Sequence, residues 1–408
     1  MRLALLCAAA VLVAPSANAS PLTYAQALDA AARSAPSLKA SALKIDAAKA
    51  EVGPAGALPD PTLALGIDNF PVSGPLAGRL GADEMTMGRV GYAQDVPNSR
   101  KRAARVERAE AGVATASAEA VLEARQVRTA AAIAWIEADY AHRRLAAIDA
   151  ILAQLEPLWS AAPSAVASGK SRPAQALAVQ AARAALEDQR AEVQASEVRA
   201  LAQLARWTGE DDPSTAGAPP PVEIDPAVLR AGLDRHPSLA IRDAAVGEAR
   251  AGTRLAKAET SPDWGWDVAY QRRDPMFGDM ISAGVTVSLP LWKHTRQDPM
   301  IAARAADLGR AEAQREDTRR TLRAQLDSDL ADHVMHHDQW LRARDRLVPL
   351  AKQRAELETA AYGAGTTGLS DVLDAFADLA NAQLTALDRE AAVAVDAARL
   401  TLTYGSDQ

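Results

Sequence analysis

The strongest constraint on this chain is that its sequence is written twice. Pro36-Ser37-Leu38 recurs as Pro237-Ser238-Leu239, and the same offset carries Lys49 to Arg250 and Pro61 to Pro262 without a gap. Further on, Gly91 with Val96-Pro97 corresponds to Gly284 with Leu289-Pro290, and Gly169 and Gly209 correspond to Gly365 and Gly405. Pairings that keep one order along the chain mark a tandem repeat, so a single architecture has to serve both halves. The first repeat covers 20–210 and the second 223–408, joined by a Pro-Ser-Thr-Gly linker at 211–222.

Each repeat opens with a capped helix. Thr23 followed by Gln26 forms a capping box. In the second repeat Asp225 caps, and Pro226 takes the first helical position, where its missing donor costs nothing. A helix of moderate length follows, from Ser37 to Gly56 and from Ser238 to about Glu259. After Pro61 and Pro262 the period changes to two. Trp264, Trp266, Val268 and Tyr270 alternate with Gly265, Asp267, Ala269 and Gln271. Then Ile281, Ala283, Val285, Val287 and Leu289 alternate with Ser282, Gly284, Thr286 and Ser288. The first repeat has Leu63, Leu65 and Ile67, then Val90 and Tyr92. Hairpins are therefore expected at about 62–96 and 263–289, with strands of roughly 9–10 residues, the length of a tilted membrane-spanning strand.

A soluble antiparallel sheet with one solvated face would show the same alternation. Two further features favour lipid. Trp264, Trp266 and Tyr270 stand where an aromatic girdle would meet a membrane interface. Four strands also bury nothing alone and cannot close a barrel, which takes about eight, so several copies must pool theirs.

Long helices follow each hairpin. From Ser99 to about Trp159 there is one glycine, Gly112, and no proline before Pro157. Some ~60 residues at 1.5 Å each give ~90 Å of helix. The stretch from Asp298 to Ala361 repeats this, broken only by Pro349. Each helix turns at a glycine-containing segment, Ser168-Gly169-Lys170-Ser171 or Tyr362-Gly363-Ala364-Gly365. The second returning helix is marked by Leu369, Val372, Leu373, Phe376 and Leu379, spaced as the stripe of a coiled-coil-like pair. Helical hairpins are thus expected over 98–209 and 297–405. Aromatics make up only 4% of the chain, so small residues have to bring those helices together.

Residues 1–19 read as a secretory signal, with Arg2, an apolar run from Leu3 to Val13, and Ala17-Asn18-Ala19 at the cleavage point. Export is a third argument for a membrane sheet. The single cysteine, Cys7, lies inside that signal and too early for a lipid-anchored N-terminus. Disulfides, thiolate metal sites and a cysteine nucleophile are not expected. The net charge of −7 is spread out, with no basic stripe, so nucleic acid is not an expected partner. No phosphate loop, nucleophile elbow or His-Glu-x-x-His motif occurs, and neither an enzyme nor a cofactor is expected.

A twofold repeat of helix, β-hairpin and long helical hairpin resembles the TolC-like outer-membrane efflux family, over nearly the whole chain after the signal. The most specific segment is Tyr362-Gly-Ala-Gly-Thr-Thr-Gly-Leu-Ser-Asp371-Val-Leu-Asp374-Ala375; Leu22-Thr23 with Ala27-Leu28, Pro36 and Leu38 resembles the N-terminal motif. The resemblance implies a mainly α fold with a β-barrel contribution, in which a homotrimer builds a twelve-stranded barrel in outer-membrane lipid on a periplasmic helical barrel. It implies a passive channel whose helical turns, Gly169 and Gly365 among them, meet a periplasmic adaptor protein and an inner-membrane RND-type pump. Asp371 and Asp374 match the acids that ring the family's closed periplasmic aperture, with Tyr362 and Thr367 beside them. The family's lock has an Arg where this chain has Thr367, and the facing acid maps to Gln175. Other contacts are therefore expected to hold the aperture shut.

Two segments resemble the heavy-metal branch: Ala57-Leu58-Pro59-Asp60-Pro61 with Gly66 and Asn69-Phe70-Pro71, and Gln94 to Arg102. They imply heavy-metal cations as cargo, with drug or protein export as the alternative within the family and a soluble coiled-coil adaptor as the alternative outside it. His333 and His337 share a helix face at the i, i+4 spacing that can bind zinc or copper. With Asp332, Met335 and His336 beside them, a solvated or inter-helix cluster is the plainer account, and no metal site is assigned.

Overall fold

The computed structural model describes residues 21–80, 83–167 and 173–405. The signal reading and the first helical turn with Gly169 lie outside these residues, as does the side chain of Gln175. The elements run α1 (Tyr24–Ser34), α2 (Pro36–Gly56), β1 (Thr62–Asp68), β2 (Met87–Val96), α3 (Ser99–Ala167) and α4 (Pro173–Thr208) in the first repeat. In the second they run α5 (Pro226–Gly232), α6 (Pro237–Ala258), β3 (Trp264–Arg272), β4 (Met280–Val287), α7 (Gln297–Arg342), α8 (Val348–Gly363) and α9 (Leu369–Tyr404). The twofold repeat read from the sequence is present, with α7 and α8 together standing where the first repeat has α3.

The chain divides into two compact units, one of 21–35, 125–226 and 327–405, the other of 36–124 and 227–326. The second unit holds the sheet. Its four strands follow the order β1-β2-β3-β4, all antiparallel, so the two hairpins lie side by side and β2 pairs with β3 across the repeats. β1 and β4 are open edges. β1 has 7 residues and β4 has 8, shorter than expected, and β4 ends at Val287 rather than Leu289. Asn69, at a φ of 55°, turns the chain out of β1, and Pro290 offers no N–H with which to extend β4.

The first unit is built from helices. In its first core, Trp135, Ile136, Ala138 and Tyr140 of α3 meet Ala200 and Leu204 of α4, Ala394 and Ala398 of α9, and Ala27 and Leu28 of α1. The alanines bring the helix axes close, and the few aromatics sit at the centre. The expected Thr23–Gln26 capping box starts α1, each partner bonding the other's backbone N–H. The linker at 211–222 is an ordered strap. Thr215 bridges Leu22, with Leu22 N–H donating to Ser214 O at 2.8 Å and Ala216 N–H to Leu22 O at 2.9 Å. The indole of Trp135 donates to the same Leu22 carbonyl at 2.7 Å, and Tyr24 packs edge-on against that ring.

Two helix expectations need correction. α3 does not stop near Trp159 but runs through Pro157 and Pro163 to Ala167. Each proline removes one donor, a cost that packing of Leu155 and Trp159 in a core can offset. The break at Pro349 lies just upstream of that residue: Ala343–Leu347 widens into a π-helical turn. The wider turn relieves the clash between a proline ring and the carbonyl four residues before it.

Candidate functional site

The first candidate surface is the sheet. Its register pairs Trp264 with Val287, Trp266 with Val285, Val268 with Ala283 and Tyr270 with Ile281. It also pairs Val268 with Tyr92 and Tyr270 with Val90, then Tyr92 with Leu63 and Val90 with Leu65. Because side chains alternate, all of these project from one face. That face is bare: Leu65 is 72% exposed, Val285 72% and Ile281 76%. The opposite face carries Ala64, Gly91, Ala93, Gly265, Asp267, Ala269, Gly284 and Thr286. A Cβ on Gly284 would stand 2.5 Å from Asp267 Oδ1, so the paired acid requires a glycine opposite. The predicted girdle residues occupy two levels: Trp264 and Trp266 lie toward the helices, Tyr270 toward the hairpin turn, where its hydroxyl bonds Asp279.

The helix-ward end of the sheet is tied to α3 by Asn98 and Asp263. Asn98 N–H and Nδ2 donate to Asp263 Oδ1 at 2.8 and 2.9 Å, and Lys101 Nζ reaches Oδ2 at 2.5 Å. Burial opposes charge on Asp263, yet the Lys101 and Asn98 bonds outweigh it and hold the carboxyl below its usual range. Asn98 Oδ1 in turn accepts from Lys101 N–H at 2.9 Å and caps α3. The Gln94–Arg102 segment is thus a structural joint, and its conspicuous residues are spent on backbone and ion pairing.

The second candidate surface is the turn between α8 and α9. Gly365, at a φ of 77°, ends α8 in a Schellman motif, with Thr366 N–H donating to Ala361 O and Gly365 N–H to Tyr362 O, both at 3.0 Å. Gly368 opens α9, and Asp371 reaches back to its N–H at 3.0 Å. Thr367 Oγ1 donates to the same carboxylate at 2.7 Å. These two bonds, Thr367 first, hold the Asp371 carboxyl below its usual range. Asp371, Asp374 and Asp378 are all exposed, at spacings of three and four, so they share one face of α9. Asp378, which sequence reasoning missed, pairs with Arg354 of α8.

Behind that face lies the expected stripe. Leu369, Leu373 and Leu379 are buried with Ile151, Leu155 and Trp159 of α3, Val179 and Leu186 of α4 and Ala355 of α8, while Phe376 and Tyr362 pack against the cluster. Tyr362 is therefore partly a core residue.

The histidines do not converge on one point. A ring N–H of His333 donates to the Val222 carbonyl, which ties the strap to α7, and burial lowers the pKa of this ring. His336 Nδ1 lies 2.6 Å from Asp396 on α9. His337 stands 6.3 Å from His333, ring to ring, and 5.5 Å from Trp340. Among the described residues no group of three His, Cys, Asp or Glu side chains is placed to hold a metal ion. Nor is any described helix long and apolar enough to cross a membrane.

The family described as Outer membrane efflux protein matches residues 228–406. No curated protein matches the sequence. Among solved structures, the outer membrane protein VceC from Vibrio cholerae is similar at a TM-score of 0.76 and 19% identity, over 94% of this chain and 97% of its own. The open state of the Neisseria gonorrhoeae MtrE outer membrane channel is similar at 0.75 and 17% identity, over 94% and 89%. A membrane protein from Pseudomonas aeruginosa gives 0.78 and 17%, over 94% and 90%. The chain therefore has the fold of outer-membrane channel proteins, and over residues 228–406 its sequence matches the outer membrane efflux protein family.

Proposed function

We propose that this protein is the outer-membrane channel subunit of a tripartite efflux system, and that it conducts cargo passively and catalyses no reaction. The observation that carries the reading is the four-stranded sheet, with one bare apolar face and two open edges. Three copies joined edge to edge supply twelve strands, enough to close a barrel whose outer face meets lipid and whose small, polar face lines the pore. The α8–α9 turn is then the periplasmic end, where an adaptor protein docks and an RND-type pump delivers cargo. Asp371 and Asp374 from each copy ring the axis there, and Asp378 continues the same helix face with its charge met by Arg354. Carboxylates so arranged favour cations and resist tight closure.

Heavy-metal cations are the cargo we assign. Support comes from the likeness of the Ala57–Pro61 and Gln94–Arg102 segments to the heavy-metal branch, and from the acidic mouth. The test is conductance in planar bilayers with the purified full chain. Cation-selective channels are expected, with selectivity reduced in Asp371→Asn with Asp374→Asn. A deletion strain should become sensitive to heavy metals and keep its drug resistance. Drug sensitivity alone would reassign the cargo, and absence of conductance would overturn the channel.

A further inference from the structure

The two strand-to-helix joints differ where the repeat would make them alike. In the first repeat Pro97 is buried, Asn98 caps, and α3 begins at Ser99, directly after β2. In the second, residues 288–296 separate β4 from α7. This longer joint is ordered: Leu291 N–H donates to Leu289 O at 2.9 Å, Arg296 N–H to Trp292 O at 3.2 Å, and Asp298 N–H to Lys293 O at 2.9 Å. It presents Leu289 at 64% exposure, Leu291 at 69% and Trp292 at 69%. Three large apolar side chains within four residues, held outward by a fixed backbone, are costly in water.

We propose that this joint is an interfacial wedge that seats in the periplasm-facing leaflet of the outer membrane, where phospholipid headgroups meet acyl chains. The inference rests on the membrane reading of the sheet. Three observations select lipid over a second copy. Leu289 continues the alternation of Val285 and Val287, so it follows the bare face, whereas another copy adds in the plane of the sheet along the β4 edge. Trp292 combines a large apolar body with an indole N–H, the pattern that residues at a bilayer interface share. Immediately beyond it stand Lys293 and Arg296, both exposed, and among the described residues neither pairs with an acid; His294 is paired with Asp298 at 2.8 Å. Apolar side chains followed at once by free cations match an acyl layer bordered by anionic phosphates.

The test uses the full chain with Cys7→Ala, which leaves no native cysteine. Leu291→Cys, Trp292→Cys and Val285→Cys are made one at a time, labelled with a nitroxide, and reconstituted into phosphatidylethanolamine–phosphatidylglycerol vesicles. Collision rates with oxygen and with a water-soluble nickel chelate are then compared. Labels at 291 and 292 are expected to favour oxygen several-fold, at a shallower depth than the label at 285. Preference for nickel at 291 and 292, with 285 still in lipid, would overturn the wedge and leave the channel standing. Low collision with both reagents would mean that another copy covers the joint, which also overturns it. Preference for nickel at all three positions would overturn the membrane reading itself.

Discussion

Thr367 and Asp371 are hydrogen-bonded at 2.7 Å, hydroxyl to carboxylate, at the start of α9. The position where the efflux family carries an Arg is thus used within one turn, to keep the acid charged and to aim it at its own helix N-terminus. A carboxyl held low keeps its folded-state advantage above the ordinary carboxylate value and loses it as pH falls through the lower, folded value. Thr367→Val removes the larger of the two bonds, so that loss should begin at a higher pH. Cation selectivity titrated in planar bilayers should therefore fail at higher pH in Thr367→Val than in the parent. Coincident titrations would mean that Asp371 does not set selectivity.

Gly365 is the hinge of the α8–α9 turn, and a Cβ there would meet nothing within 4 Å. Any cost of Gly365→Ala is therefore backbone cost, about 1–2 kcal/mol for an L-residue forced into the left-handed region. Gly365→Asn should recover part of it, since asparagine tolerates that region. Thermal midpoints in detergent, ordered parent, Asn, Ala, are the expected outcome.

Trp135 is fully buried, and its indole satisfies the Leu22 carbonyl. Trp135→Phe keeps most of the ring and leaves the Leu22 carbonyl with the Ala216 N–H as its remaining donor, so the loss of one hydrogen bond should cost about 0.5–1.5 kcal/mol. The first place to open is the strap, so faster proteolysis near Thr215 than in the parent is expected. Unchanged cleavage would assign the strap's order to other contacts.

Asp263 joins β3 to the start of α3 through Asn98 and Lys101. Asp263→Ala takes the acceptor from the Asn98 N–H and from Lys101 Nζ at a partly buried site, while Asn98 Nδ2 keeps the Ala258 and Ser261 carbonyls, and a loss of roughly 1–3 kcal/mol is expected. Lys101→Met should cost less, because Asn98 still has its acceptor. Denaturation midpoints of the two variants decide whether the joint works as described.

Much of this architecture is legible in the sequence because it depends on periods that tertiary contacts do not alter. Trp264, Trp266 and Tyr270 share a face whatever the sheet packs against, and the Leu369–Leu379 stripe finds its core by spacing alone. What was illegible depends on partners far along the chain. Nothing near Thr215 announces its bridge to Leu22, and nothing near Asn98 announces Asp263. Pro157 and Pro163 look like stops, yet packing carries α3 through them. Leu289 reads as a strand residue, and only the longer joint after Val287 reveals the exposed Leu291 and Trp292. Asp378 was hidden by its ordinary context and stands out once α9 places it below Asp374.

The most direct test of the central claim is the native mass of the full chain extracted by detergent from the outer-membrane fraction of a Gram-negative host. Three copies in that fraction are predicted, because four strands per copy close a barrel only when pooled. A monomer recovered in the detergent-free soluble fraction would contradict it and return the exposed apolar face to an unexplained feature of an ordinary sheet.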